Sequence, residues 1–131
     1  MTNHLIIEPF DLGAYMAERE ADPALRLPDS ETHLQHQIVI AARRRDLLVH
    51  HVNRGSVTMP GFPDLTIAGN SGHAFWELKS VTGALSPAQE RWRRALKNGG
   101  APYSVITPMD WQSGAVLRWL DRLADGELIA A

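Results

Sequence analysis

Cysteine is absent from the 131-residue chain, and no stretch of it is a long apolar run, an internal repeat or a low-complexity tract. Without cysteine there is no disulfide framework, no thiolate metal site and no cysteine nucleophile, which fits a reducing compartment. No apolar segment approaches the roughly 20 residues that a membrane helix needs. The N-terminus, MTNHLIIEPF, lacks the basic start and small-residue cleavage site of a secretory signal. Six histidines are present, but His33 with His36, and His50 with His51, do not make the HExxH spacing of a zinc helix. The expectation is a soluble, cytoplasmic protein with no membrane partner, whose histidines are surface or partly buried polar residues.

Hydrophobic residues make up 44% and charged residues 21% of the chain, an ordinary globular composition at the size of one domain. The expected organisation is a single domain over 1–131, with an N-terminal helical extension at 1–29, a core at 30–108 and a C-terminal helix at 109–131. The net charge of −2 hides an uneven distribution. Residues 1–30 carry six acids against two bases and residues 110–131 four against two, whereas residues 31–109 hold nine bases against five acids. The middle of the chain can therefore meet a polyanion while the ends face solvent or another subunit.

Two prolines in ADPALRLPDS, ending at Ser30, interrupt any helix begun around 11–20. Asp29 or Ser30 then caps a helix predicted over 31–46, with Glu31 at the positive end of its dipole and Leu34, Ile38 and Ala41 or Ala42 on one face. Glu31 and Gln35, four apart, project together near its start. A strand is predicted over 47–53 and broken by Arg54-Gly55-Ser56. The turn Gly69-Asn70-Ser71-Gly72 joins two alternating runs into an antiparallel hairpin. Ser86 and Pro87 open a helix that ends at Asn98-Gly99-Gly100. A strand over 103–107 and one helix from Asp110 to Leu123 complete the chain. The fold class implied is α/β, with a mixed sheet of about four strands flanked by helices.

With the turn centred between Asn70 and Ser71, Asp64 lies directly opposite Glu77. Strand alternation puts Lys79 on their face and leaves Leu65, Ile67, Trp76 and Leu78 on the other. Two opposed carboxylates repel unless something neutralises them. Mg²⁺ or Mn²⁺, hard cations that take oxygen ligands, suit the pair and would polarise a phosphodiester and acidify a bound water. Lys79 could orient that water or stabilise developing charge. Taken on its own, the hairpin is equally compatible with a solvated strand face carrying a weak ion pair.

The motifs extend beyond the hairpin. SETHLQ at 30–35, GFPDLTI at 61–67, FWELK at 75–79, GALSPAQERW at 83–92 and GGAPYSVI at 99–106 occur in one order. In this the chain resembles the PD-(D/E)XK nuclease superfamily, and within it the stand-alone VRR-NUC (virus-type replication-repair nuclease) module. The resemblance implies a restriction-endonuclease-like sheet and Mg²⁺- or Mn²⁺-dependent hydrolysis of DNA phosphodiesters. It makes Asp64 and Glu77 metal ligands, helped by the backbone carbonyl of Leu78, and Lys79 the lysine near the attacking water. Glu31 would reach the metal directly or through water. Gln89 would assist in the site or contact the phosphate.

Arg93, Arg94 and Lys97 share a helix face that can track a DNA backbone, and Arg43 and Arg44 are further DNA-binding candidates or the solvated end of a helix. The four tryptophans read as core or interface residues rather than base-stacking platforms, three of them lying in apolar-patterned segments. Stand-alone modules of this type are associated with homodimers on DNA junctions, and the C-terminal helix, apolar on more than one side, is the expected dimer surface. The resulting expectation is a homodimeric endonuclease selective for branched DNA such as Holliday junctions, in DNA repair. The alternative is a non-catalytic DNA-binding or assembly module.

Overall fold

A computed structural model describes residues 25–52 and 59–130 of the protein. The helix expected around 11–20 and the break expected at 54–56 lie outside the described residues.

Helix α1 spans Glu31–Arg43, shorter at its C-terminal end than its pattern predicts. The Ser30 side chain caps it by accepting from the His33 amide at 3.0 Å, which satisfies one of the amides a helix start leaves unbonded. Leu34, Ile38, Ala41 and Ala42 are its buried stripe. Beyond Arg43 the chain turns through Asp46, whose φ of 58° stops the helix.

Among the described residues four strands form one sheet in the order β1-β2-β3-β4: β1 Leu48–His51, β2 Leu65–Gly69, β3 Gly72–Leu78 and β4 Tyr103–Ile106. Helix α2, Pro87–Asn98, connects β3 to β4. The first three strands pair antiparallel, while β4 pairs parallel with β3, so the sheet is mixed. In the hairpin Leu65 faces Trp76 and Gly69 faces Gly72, leaving Asn70-Ser71 as the loop. This is the register expected from the turn.

Leu65, Ile67, Ala74, Trp76 and Leu78 are buried on one face of the sheet and pack with the α1 stripe. The rest of that core comes from Trp111 on α3, Pro108–Gln112, and from Val116 and Leu120 on α4, Ala115–Ala130. The single C-terminal helix expected from the sequence is thus two. Gly114, at φ 83°, breaks it in a conformation that side chains disfavour, so Trp111 and Leu120 reach the core from helices of different direction. That break explains why the apolar positions of this region follow no single stripe. Arg45, in the turn after α1, ties that end of the helix to α4 by donating to Asp121 at 2.6 Å. Among the described residues no helix is long and apolar enough to cross a membrane.

The other face of the sheet is covered differently. Phe62, in the loop before β2, stands edge-on to Phe75 of β3 and to Trp92 of α2, with ring centroids 6.3 and 4.9 Å apart. These contacts hold α2 over the face that carries Glu77.

Candidate active site

Glu77 has 1% of its surface exposed, in a position where strand alternation alone would allow a solvated side chain. Charged groups are rarely buried so completely without a partner. Burial and the Asp64 carboxylate push the Glu77 carboxyl up to about 8, with Lys79 pulling in the opposite direction and Glu31 adding a smaller upward push. The residues that the sequence singles out on three separate segments therefore act on one carboxyl.

Asp64 sits just before β2 and is fixed by its neighbours in the sheet. Its Oδ2 accepts from the amide of Leu78 at 2.8 Å, and its backbone carbonyl accepts from Val52 at 2.9 Å. The first contact draws the Asp64 carboxylate to the end of β3 beside Glu77. In extended backbone the N–H and C=O of a residue point to the same edge, so the Leu78 carbonyl is directed to the edge on which Asp64 lies. Lys79 is anchored through its own amide, which donates to the Ile106 carbonyl of β4 at 2.9 Å.

Gln89 completes the enclosure of Glu77. Its Nε2 donates to Glu77 Oε2 at 2.9 Å. Its other end is held by α2's start: Oε1 accepts from the Ser86 amide at 2.8 Å, and Ser86 Oγ accepts from the Gln89 amide at 3.2 Å, a reciprocal capping box. Because the box consumes the carbonyl, only the NH₂ can face Glu77. Gly61 sets the height of this turn. At φ 87° it lies so close to α2 that a Cβ there would fall 2.4 Å from the Ala88 carbonyl carbon and 2.7 Å from the Gln89 amide nitrogen. Neither Ser86 nor Gly61 was expected to shape the site, although S-x-x-Q before a helix is itself a capping-box signature.

Glu31 reaches the same region from α1: its Oε2 accepts from the Ser80 amide at 3.2 Å. Among the described residues no three His, Asp or Glu side chains converge as a metal-holding group. Glu31 is thus within electrostatic range of Glu77 without joining it and Asp64 in a three-carboxylate cluster.

Among the described residues, two buried polar atoms lack a hydrogen-bond partner, Glu77 Oε1 and Tyr103 Oη. Tyr103 pairs with Phe75 across β3 and β4, and burial, then the Glu77 charge, push its hydroxyl up to about 12. It stays protonated at neutral pH. An orphaned carboxylate oxygen beside a second carboxylate is the arrangement a divalent cation relieves, and the donor set of two carboxylates and a carbonyl is all oxygen. The residues present fit Mg²⁺ or Mn²⁺.

The cationic candidates separate. Arg93 donates to Glu90 Oε1 at 2.7 Å, which holds the Glu90 carboxyl below its ordinary range, first through that hydrogen bond. Arg94 lines a cavity on the outer side of α2, and Lys97 is exposed. Arg43 and Arg44 are exposed at the far end of α1 from Glu31; a rise of 1.5 Å per residue puts them roughly 18 Å away along the axis. The fold does not bring them to the carboxylates.

No protein family matches the chain by sequence, and none of the curated proteins does. A solved structure described as a VRR_NUC domain protein shares its fold, with a TM-score of 0.55 and 21% identity over 72% of this chain and 89% of that one.

Proposed function

We propose that the protein is a divalent-metal-dependent endonuclease that hydrolyses DNA phosphodiester bonds. The observation that carries the reading is Glu77: a carboxylate almost fully buried against Asp64, with one oxygen held by Gln89 and the other unpartnered. A carboxyl buried in that way must either keep its proton or meet a cation, and a structural role would be served better by a residue that never ionises.

Asp64, Glu77 and the Leu78 carbonyl would hold Mg²⁺ or Mn²⁺, with Glu31 acting directly or through water. When bound, such an ion polarises a phosphodiester and lowers the pKa of a coordinated water. The chain's own residues supply the rest. The Leu78 amide keeps Asp64 turned to the site, and Gln89 keeps one Glu77 oxygen satisfied so that the other stays available. Lys79 offers an ammonium on the same strand face for the charge that develops on the scissile phosphate. Hydrolysis adds water across one P–O bond, the hydroxide to phosphorus and the proton to the leaving oxygen.

The finer reading is a homodimer selective for branched DNA, including Holliday junctions, acting in DNA repair. Its support is the limited surface of one small domain and a C-terminal helix whose Trp119 is 38% exposed while Val116 and Leu120 are buried. The other reading, a DNA-binding or assembly module without catalysis, is disfavoured by Asp64, Glu77 and Lys79 all being in place.

The test is cleavage of plasmid and of a panel of junction, flap, single-stranded and linear DNAs with Mg²⁺ or Mn²⁺, by wild type and Asp64→Ala. Metal-dependent cleavage lost in the variant is expected. Equal activity of the two, or none from wild type with either metal, overturns the assignment.

A further inference from the structure

On the side of α2 turned away from Glu77, the segment Met59–Pro60 and the helix border an open groove of about 670 Å³. That is a size ordinary for a small-molecule site. Met59, Trp92 and Ala95 supply apolar lining, and Arg91 and Arg94 supply charge. Met59 is 56% exposed, too much for a residue serving only the core.

The two arginines are three apart and so neighbours on the helix surface. Among the described residues neither has an ion-pair partner, whereas Arg93 between them is engaged by Glu90. Glu90 also feels Arg94, but its hydrogen bond goes to Arg93. Two guanidinium groups outside any ion pair among the described residues, beside an apolar surface, suit a ligand that is anionic at one end and flat and apolar at the other.

We infer that this groove binds an unpaired nucleotide of a single-stranded DNA segment, its base against Trp92 and Met59 and its flanking phosphates on Arg91 and Arg94. A base inside a duplex is stacked and cannot enter such a cavity, so the groove distinguishes unpaired from paired strands without reading sequence. Its position supports the same occupant. Ala88 lines the cavity and is the residue before Gln89, so the groove reaches to within one residue along α2 of the side chain that holds Glu77. Of the four tryptophans, Trp92 alone lies in a charge-rich segment, ERWRRALK. It packs edge-on against Phe62, in keeping with the packing role expected of it, and also lines this cavity.

The inference rests on the reading that the protein acts on DNA, but not on catalysis. It is tested by fluorescence anisotropy in metal-free buffer, with labelled oligo(dT) of about a dozen nucleotides and an abasic strand of equal length. Wild type is expected to bind oligo(dT) at least about fivefold more tightly than the abasic strand, because stacking requires a base. Arg91→Ala with Arg94→Ala should weaken oligo(dT) binding at least about tenfold and reduce the slope of log K against log salt by about 1.4, two phosphates' worth on a single strand. Ala95→Glu, an exposed helix-compatible change, should remove the preference for the base. Equal binding of the two strands by wild type, or variants indistinguishable from wild type, overturns the inference. Asp64→Ala should retain oligo(dT) binding. Base-dependent binding without cleavage by wild type would sink the nuclease reading and leave the groove standing; cleavage without base-dependent binding would do the reverse.

Discussion

Gln89 Nε2 lies 2.9 Å from Glu77 Oε2, while Oε1 of the same amide accepts from the Ser86 backbone. One side chain thereby caps a helix and supports a buried carboxylate. Its orientation is set by the cap.

Replacing Gln89 separates those roles. Gln89→Ala should destabilise the fold by about 1 kcal/mol, the usual worth of such a bond, and weaken Mn²⁺ binding by about 10- to 100-fold, as loss of a group supporting a metal ligand does. Gln89→Glu keeps an acceptor for Ser86 but sets a third carboxylate against Glu77, so it should bind metal no better than the alanine variant. Calorimetric titration with Mn²⁺ checks both, and wild-type affinity in either contradicts the assignment.

Stability without metal should depend on pH through Glu77. Its carboxyl is raised from 4.5 to about 8 in the folded state, so between those values the folded protein holds a proton that the unfolded chain has released. The contribution is fully present below about 4.5 and is lost as pH rises toward about 8, at no more than about 1.4 kcal/mol per pH unit. Denaturant titrations in chelator at pH 5, 7 and 8.5 should show this decline, and Glu77→Gln should remove it. A wild-type profile that is flat or rises over this range would contradict the placement of Glu77.

The same substitution should trade function for stability. Gln at 77 carries no charge to bury, can accept from Gln89 and can donate toward Asp64. Above pH 8, Glu77→Gln should therefore have a higher Tm than wild type in chelator, and a smaller rise in Tm on adding Mn²⁺.

Metal uptake at pH 7 should displace the Glu77 proton. Titration with Mn²⁺ in two buffers of different ionisation enthalpy should report the release of about one proton per site, and less at pH 9. Equal heats in the two buffers at pH 7 would contradict it.

Gly61→Ala tests the close approach of the site loop to α2. The left-handed φ alone costs about 1–2 kcal/mol for a residue with a Cβ, and the contact with the backbone at Ala88 adds to it. The variant should unfold at lower denaturant. If it folds, it should lose Mn²⁺ affinity because Gln89 is displaced, whereas Gly100→Ala, whose Cβ meets nothing within 4 Å, should lose stability alone.

Much of the fold was legible in the chain because its signals are local. Asn70-Ser71 between glycines sets the hairpin register, and that register places Asp64 beside Glu77 with Leu65, Ile67, Trp76 and Leu78 on the opposite face. The Ser30 and Ser86 caps mark two helix starts for the same reason. The boundaries that went astray are those where a single left-handed residue intervenes: Asp46 shortens α1, and Gly114 divides the C-terminal helix.

The sequence by itself determined which residues could form an acidic site, because alternation and turn chemistry act between near neighbours. Only the tertiary structure decided how those residues are packed and held. Glu77 is buried because α2 folds back over β3 to pair β4 in parallel, and Gln89 meets it because Gly61 lets the loop and the helix touch. Arg45 became a tie to Asp121, while Arg91 and Arg94 came to line a cavity with Met59. Each of these depends on contacts between segments far apart in the chain, where no local propensity reaches.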